Sequence, residues 1–466
     1  MPRNKSHARR AIPLIVVAGC LVMPYVAATG SAVFIDFMRA FGAREIHFGL
    51  ISGIPMIMLS LQFLGGLLSN AVRSRKALFI ALGVASRVLY LPVAFVPLLF
   101  PGLPREGLVN TLLVLVAVSA CFANMIGPPW FSWVADLIPR QVLSRFWGLR
   151  QTFLNLTASV CQLGIVLFAI LSGWPATKLF PILVAISVPL GVMDILLFLW
   201  VHEPPNTIVR GRQAFATLVA PFRSPDFRWF LVFSCAWNAA AMFSAAFMQP
   251  YALKVLGLSV GQTAFVWCFL GFGVALSSGL WGRLVDDLGH RPVFIFGMYV
   301  KPLIALVFVL ITPRTAMWIL CPAFLIDSMW NAAMMIATNG YMLKFAPPGN
   351  RSMYVAATAG LAGICGGLGA MIGGVFLEAT SSFSLSALGR TWNHYQLLFL
   401  VGIALRVACN GLAFRIREPT SSSTRELIRA LRQVRPMDMV LFPIGVYRLL
   451  TGRPWKEEST GQDGVI

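Results

Sequence analysis

Long apolar stretches of about 20 residues alternate with short polar loops along most of the chain. A helix of that length crosses the roughly 30 Å hydrocarbon core of a bilayer. Because lipid offers no hydrogen-bond partners, a backbone that crosses it is expected to be helical. The fold class that follows is an all-α polytopic membrane protein. The pattern predicts twelve spans, numbered 1 to 12, near residues 11–35, 46–70, 77–99, 107–128, 146–172, 180–201, 228–253, 258–281, 292–312, 317–339, 352–377 and 394–416.

Composition favours a membrane protein and argues against other classes. Of the 466 residues, 58% are hydrophobic and only 12% are charged, and the mean hydropathy is +0.77. The net charge of +20 could indicate nucleic-acid binding. However, the basic residues lie mainly in alternate short loops without interleaved stacking aromatics, so nucleic acid is not expected as a partner. The eight cysteines show no CxxC spacing and the five histidines are scattered, so no metal site or cofactor is predicted.

The distribution of Lys and Arg predicts the orientation in the membrane. The side that would hold both termini carries 27 of the 37 basic residues, and the opposite side carries seven. By the positive-inside rule, both termini are predicted to be cytoplasmic. The basic arm "MPRNKSHARR" could also begin a secretory signal, but the apolar stretch after it is too long for one. We therefore expect an uncleaved first helix and an integral multi-pass protein, in the plasma (inner) membrane if the source is bacterial.

Echoes between the two halves indicate an internal repeat. "HEPP" (202–205) follows span 6 and "REPT" (417–420) follows span 12, while "GVASR" (83–87) in span 3 resembles "GMYVK" (297–301) in span 9. The polar central loop is the one strong break in composition. The predicted domains are an N-terminal six-helix bundle (1–201), a cytoplasmic central loop (202–227), a C-terminal six-helix bundle (228–418) and a cytoplasmic amphipathic tail (419–466).

The segment "GRLVDDLGHR" after span 8 carries a G-x-x-x-D-x-x-G-x-R signature: Gly282, Asp286, Gly289 and Arg291. The corresponding segment after span 2, "GLLSNAVRSR", keeps Gly66 and Arg75. It has Asn70 where the signature has Asp and Arg73 where it has Gly.

Together with twelve spans and an internal repeat, this signature resembles the major facilitator superfamily over roughly residues 10–418. The resemblance implies a transporter whose two pseudo-symmetric bundles alternate access to a central site. It also implies that the signature loops form a cytoplasmic gate, which here would depend on Asp286 because Asn70 cannot form an ionic contact. The alternative is that the loops only fix the topology through their positive charge.

Charged residues at membrane depth are candidates for function because they are costly to bury. Arg87 and Lys301 occupy equivalent positions in spans 3 and 9, and Asp327 lies midway along span 10. We expect Arg87, Lys301 and Asp327 to serve as a charge relay or in coupling to protons, and Asp327 also to contact substrate. The resemblance places spans 3 and 9 behind the cavity, so a purely structural pairing with carboxylates such as Asp194 stays open.

A second echo joins span 7 to span 10: "WNAAAM" (237–242) and "WNAAMM" (330–335). Inverted repeats would bring these segments to opposite sides of one site, with Asn as hydrogen-bonding group and Trp as an apolar wall. Helix packing explains the same residues equally well. The predicted substrate-binding residues are Asn124, Trp237, Asn238, Asp327, Trp330 and Asn331.

The function predicted from these observations is secondary active transport of a small organic solute, with a lean toward an anion or zwitterion, coupled to protons. The sequence shows no cluster of a nucleophile with a base that would indicate an enzyme. The partners expected are the solute, the lipid bilayer and protons, and the chain is expected to be a monomer. The alternative is a non-transporting receptor or scaffold on the same fold. In the tail, "STRELIRALRQVR" predicts an amphipathic helix lying on the anionic leaflet.

Overall fold

The computed structural model describes residues 2–100, 102, 104–138, 140–204, 220–223, 225–345, 351–387, 390–416, 418 and 421–433. Twelve helical stretches in this part are long and apolar enough to cross a membrane, which confirms the predicted spans. The helices are Pro2–Leu21, Met23–Thr29 and Ala32–Ala40 in span 1; Glu45–Ile57, the 3-10 turn Met58–Leu61 and Gln62–Ala71 in span 2; Arg75–Val88 and Tyr90–Leu99 in span 3; Arg105–Met125 and Gly127–Leu137 in span 4; Arg140–Ser172 in span 5; Ala176–Leu197 and the 3-10 turn Phe198–Trp200 in span 6; Pro225–Ala245 and Met248–Lys254 in span 7; Val260–Leu288 in span 8; Arg291–Val300 and Pro302–Leu310 in span 9; Ala316–Phe345 in span 10; Arg351–Ala379 in span 11; and His394–Ala413 in span 12.

Small residues let the two halves approach closely where span 2 meets span 11. A Cβ added at Gly53 would lie 2.6 Å from the carbonyl oxygen of Gly367, and one added at Gly49 would lie 2.7 Å from that of Ala370. Only glycine permits such backbone contact. Span 5 packs against span 8 in a second extensive contact between the halves. The glycine-rich sequence of span 11 therefore serves the interface between the halves.

The halves meet differently at the two ends of the bundle. At the end away from the termini, called the far end, one apolar cluster joins both halves and includes Phe37, Phe48, Tyr251 and Phe399. At the other end, called the termini end, each half has its own cluster, one between residues 11 and 201 and one between 227 and 427. Gly282, near the end of span 8, faces open space. The bundle is thus closed at the far end, and the halves separate toward the termini end.

Two elements differ from the sequence prediction. A short antiparallel hairpin of strands β1 (Ser384–Ala387) and β2 (Arg390–Asn393) precedes span 12. The tail forms the predicted amphipathic helix, Thr424–Gln433, and part of its apolar face is covered by protein. Leu427 is fully buried in the cluster of the C-terminal half, so the helix packs on spans 8 and 9. Tail residues after 433 lie outside the described part of the chain.

Candidate functional site

Lys301, Asp327 and Asn331 form a hydrogen-bonded network inside the C-terminal half. The Lys301 ammonium Nζ donates to Oδ1 of Asp327 at 2.6 Å and to Oδ1 of Asn331 at 2.7 Å. Asn331 Nδ2 donates to the second carboxylate oxygen of Asp327 at 3.2 Å. Asp327 and Asn331 are four residues apart and so share one face of span 10. The side chains of Lys301 and Asp327 are 15% and 12% exposed, so the pair is largely buried but keeps some accessible surface.

Arg406 from span 12 adds a second cation to this network. It is 3% exposed, and its guanidinium donates to the carbonyl of Ala241 at 2.9 Å and to that of Lys301 at 3.4 Å. Among the described residues no carboxylate pairs with it directly, although it is attracted electrostatically to Asp327. Two cations therefore share one carboxylate, and the network carries surplus positive charge.

Lys301 lies at an interruption of the helical hydrogen bonds in span 9. The residue lies between the helices Arg291–Val300 and Pro302–Leu310. Proline has no N–H to donate and crowds the preceding turn, so Pro302 interrupts the helix at this point. Span 3 is also interrupted, at Leu89, two residues after Arg87. Both halves thus place their mid-span cation beside a helix break.

The N-terminal half has a related cluster around Asp194. Arg87 Nη2 lies 3.7 Å from the Asp194 carboxylate, and its guanidinium stacks 4.6 Å from the ring centre of Tyr25. Arg150, at the start of span 5, is also attracted to Asp194 and lies 4.7 Å over the ring of Trp130. The pairing of Arg87 with Asp194 that the sequence left open is therefore present. Here too, two cations share one carboxylate.

The two tryptophans of the span 7 and span 10 echo lie in different surroundings. Trp330 packs against Trp281 at 4.7 Å and Phe296 at 5.1 Å between ring centres. Trp237 packs against Phe233 at 6.3 Å. Both belong to the apolar packing of the C-terminal half. These contacts fit the helix-packing alternative, and no ring contact between the two tryptophans occurs among the described residues.

The two remaining asparagines bind their own helices. Asn238 Nδ2 donates to the carbonyl of Ser234, and Asn124 Nδ2 donates to that of Ala120, both at 2.8 Å. In each case the side-chain N–H group donates to the carbonyl one turn earlier in the same helix. Asn238 also lies against Gly366 of span 11, where the two halves meet, since the same glycine contacts Met56 of span 2. Asn238 is therefore central, while Asn331 is the only predicted asparagine that the described hydrogen bonds join to the charged network.

The signature loop after span 8 is held by Glu418, the acid of the "REPT" echo. Gly289 ends the span 8 helix with φ +88°, a conformation that favours glycine. The Glu418 carboxylate then accepts the backbone N–H groups of His290 at 2.9 Å and Arg291 at 2.8 Å, and it lies 2.8 Å from His290 Nδ1. The side chain of Asp286, on which the predicted gate depended, lies outside the described residues.

The loop after span 2 has an equivalent acid, Glu203 of "HEPP". Ser74 Oγ donates to Glu203 at 2.8 Å, and the backbone N–H of Lys76 donates to it at 3.1 Å. Arg75 is 1% exposed and donates to the carbonyl of Pro204 at 3.4 Å. Gly66 is buried within span 2. The sequence showed both echoes but did not indicate that the two acids bind the start of spans 3 and 9.

Sequence reasoning missed a cluster of charged contacts across the halves at the far end. Glu45 accepts hydrogen bonds from Lys254 Nζ and from the Tyr395 hydroxyl, both at 2.6 Å. Glu378 accepts the N–H of Ile46 at 3.4 Å and lies 3.7 Å from Arg44. We call this group of five charged or hydroxyl-bearing residues the far-end cluster: Arg44, Glu45, Lys254, Glu378 and Tyr395. It joins span 2 to spans 7, 11 and 12.

No group of three or more His, Cys, Asp or Glu side chains that could hold a metal ion occurs in the part of the chain that the structure describes.

Comparison with known proteins identifies the family of the chain. A family model described as Major Facilitator Superfamily matches residues 15–374. Among solved structures, the D-xylose-proton symporter is 13% identical with a TM-score of 0.67, covering 88% of this chain and 97% of its own. A mutant of the nucleoside transporter NupG is 14% identical with a TM-score of 0.65, covering 88% and 100%.

A third structure of the same fold is a bacterial homologue of the human lysosomal transporter Spinster, in an inward-facing and occupied conformation. It is 15% identical with a TM-score of 0.58, covering 96% of this chain and 99% of its own. A search of curated protein sequences finds no match. At these identities the solved structures establish the fold alone.

Proposed function

Because the chain belongs to the Major Facilitator Superfamily, and is therefore a transporter and not an enzyme, we propose that it moves a small organic anion or zwitterion together with protons. The observation that carries this proposal is the buried network of Lys301, Asp327 and Asn331, with Arg406 beside it. Transport proceeds by alternating access between two conformations of the two bundles.

The surplus of cations supports an anionic group on the substrate. A buried charge without a partner is strongly unfavourable, so an unbalanced cluster gains stability when a counter-ion arrives. In the C-terminal half Lys301 and Arg406 face the single carboxylate of Asp327, and in the N-terminal half Arg87 and Arg150 face that of Asp194. One negative group on the solute balances either cluster.

Competition for Lys301 supports coupling to protons. The ammonium now binds Asp327, so an arriving carboxylate or phosphate must compete with that residue. Protonation of Asp327 removes the competing charge and leaves Lys301 free for the solute. Binding of the proton and of the anion then favour each other, and this effect is reciprocal. Symport of a proton with an anion is the coupling that follows.

The closed far end supports alternating access. The far-end cluster and the apolar cluster around Phe48 join the halves there, whereas the termini end has separate clusters. If the termini are cytoplasmic, as the positive-inside rule predicts, this conformation faces the cytoplasm. The far-end contacts then break, and new contacts form at the termini end, when the site turns outward.

Uptake into proteoliposomes tests the proposal. A panel of radiolabelled carboxylates, phosphate esters, amino acids and neutral sugars is presented with and without an imposed pH gradient. We expect gradient-driven accumulation of an anionic or zwitterionic solute. Asp327→Asn should abolish accumulation above equilibrium while solute exchange across the membrane continues. Asp36→Asn is the matched control, because Asp36 pairs only locally with Arg39 three residues away in the described structure.

Two results would contradict the proposal. Accumulation that ignores the pH gradient would remove proton coupling, and accumulation of a neutral solute alone would remove the anionic substrate. The absence of any solute flux, in protein that binds solute and is well folded, would favour a receptor instead. Lys301→Gln combined with Asp327→Asn removes one cation and one anion and leaves the net charge of the site unchanged. This double variant therefore distinguishes lost coupling from misfolding caused by an unpaired charge.

A further inference from the structure

A groove of about 560 Å³ runs between spans 7 and 11 at the termini end. It lies apart from the charged network described above. Its lining is apolar except for Arg228, which lies at the end where span 7 begins. The other lining residues include Phe222, Leu231, Val232, Ala236, Leu361 and Cys365.

The groove opens toward lipid and not toward the space between the halves. Leu361 and Cys365 lie on the same face of span 11 as Leu368 and Ile372, which are 47% and 59% exposed although apolar. Apolar side chains exposed on a membrane span contact lipid. On the opposite face of span 11, Gly366 meets Met56 of the other half. The contact between spans 7 and 11 therefore separates the groove from the interior of the transporter.

The depth and polarity of the groove match one leaflet. From Arg228 to Ala239, the deepest lining residue of span 7, a helix rises about 16 Å. This is about half of the roughly 30 Å hydrocarbon core. Arg228 lies at the first turn of the span, where lipid headgroups lie, and the lining below it is apolar. No ion pair of Arg228 occurs among the side chains that the structure describes.

We infer that this groove binds one anionic phospholipid of the leaflet at the termini end. One acyl chain fills the groove between spans 7 and 11, and the phosphate of the headgroup pairs with Arg228. Because this acyl chain contacts both spans, the bound lipid stabilises the packing of span 7 against span 11. The site is independent of the substrate and of the coupling ion.

Native mass spectrometry of the full-length protein in detergent tests this inference. The protein is titrated with phosphatidylglycerol and, separately, with phosphatidylcholine carrying the same acyl chains. We expect one phosphatidylglycerol to bind more tightly than phosphatidylcholine. Arg228→Gln should weaken the binding of phosphatidylglycerol by about fivefold, which is the effect of one arginine near an anionic headgroup. The preference for phosphatidylglycerol over phosphatidylcholine should then disappear. Arg415→Gln is the matched control, because Arg415 stacks on Trp229 outside the groove.

Filling the groove tests the position of the acyl chain. Ala236→Trp should abolish binding of the tight lipid, and Ile372→Trp, on the lipid-facing side of span 11 but outside the groove, should not. If Ala236→Trp does not fold, Val232→Phe fills the same groove from a position that is 47% exposed. Unchanged lipid binding in the filled variants would overturn the inference, as would a phosphatidylglycerol preference that survives Arg228→Gln. Loss of solute uptake with unchanged lipid binding would assign the groove to the solute and also overturn it.

Discussion

Removing the charge of Glu45 should shift the transporter toward the conformation that is open at the far end. Glu45 is the centre of the far-end cluster, since it binds Lys254 and Tyr395 from the other half. Glu45→Gln keeps the shape of the side chain and an oxygen acceptor, but removes the ionic contact. The substitution therefore tests the charge across the halves and leaves the packing intact.

The size of the shift follows from the burial of the pair. A hydrogen bond to a charged group contributes roughly 1.5–3 kcal/mol when buried. An exposed ion pair contributes about 0.2–1 kcal/mol. The side chains of Lys254 and Glu45 are 26% and 15% exposed, so an intermediate value of about 1.4 kcal/mol is expected. This corresponds to about a tenfold change in the ratio of the two conformations.

Alkylation of a buried cysteine measures that ratio. Ala252 is fully buried in the apolar cluster that joins the halves at the far end, so Ala252→Cys reacts with a membrane-impermeant maleimide only when this end opens. Added Glu45→Gln should increase the labelling rate about tenfold. Asp36→Asn is the control, because its ion pair stays within span 1. Equal rates with and without Glu45→Gln, or an equal increase in the control, would refute the reasoning.

Two further predictions concern the loop after span 8. Gly289→Ala should lower the free energy of unfolding by about 1–3 kcal/mol, and with it the thermal midpoint, because the residue has φ +88° and its added Cβ would lie 3.0 Å from the Cα of Ser421. Gly282→Ala, whose added Cβ would meet no neighbouring atom, should leave the midpoint unchanged or raise it. Glu418→Gln should lower the free energy of unfolding by roughly 1–3 kcal/mol, because its fully buried carboxylate accepts two backbone N–H groups. Glu426→Gln, at an exposed position of the tail helix, should have little effect. Unfolding followed by tryptophan fluorescence in detergent checks all four variants, and equal midpoints within either pair would contradict the prediction.

The hydropathy pattern predicted the twelve spans because crossing a membrane imposes both length and helicity on each segment. The same rule does not determine how a helix outside the membrane is placed. The tail helix was predicted correctly as amphipathic, but its apolar face could cover either lipid or protein. Leu427 packs into the C-terminal half because Glu418 and the backbone contact of Ser422 with Leu288 bring the tail directly over spans 8 and 9.

The charged site was only partly accessible to sequence reasoning. The cost of burying charge singled out Lys301 and Asp327 individually. Their contact was not predicted, since a supporting position behind the cavity was expected for span 9. The far-end cluster left no local pattern at all, because Glu45 is 209 residues from Lys254 and 350 residues from Tyr395. By contrast, the repeated Trp-Asn pairs were visible, but similar sequences in spans 7 and 10 meet different neighbours.

The repeated acids and the far-end cluster have different consequences for the transport cycle. Glu203 and Glu418 each bind the start of a span in their own half, so these contacts need not break when the halves move against each other. Glu45 binds the opposite half, so its contacts must break. Glu418→Gln should therefore lower stability without changing the alkylation rate of Ala252→Cys. Glu45→Gln should change that rate with a smaller loss of stability. If both variants changed the rate equally, the loop after span 8 would also participate in the exchange between conformations, and the halves would not move as separate rigid units.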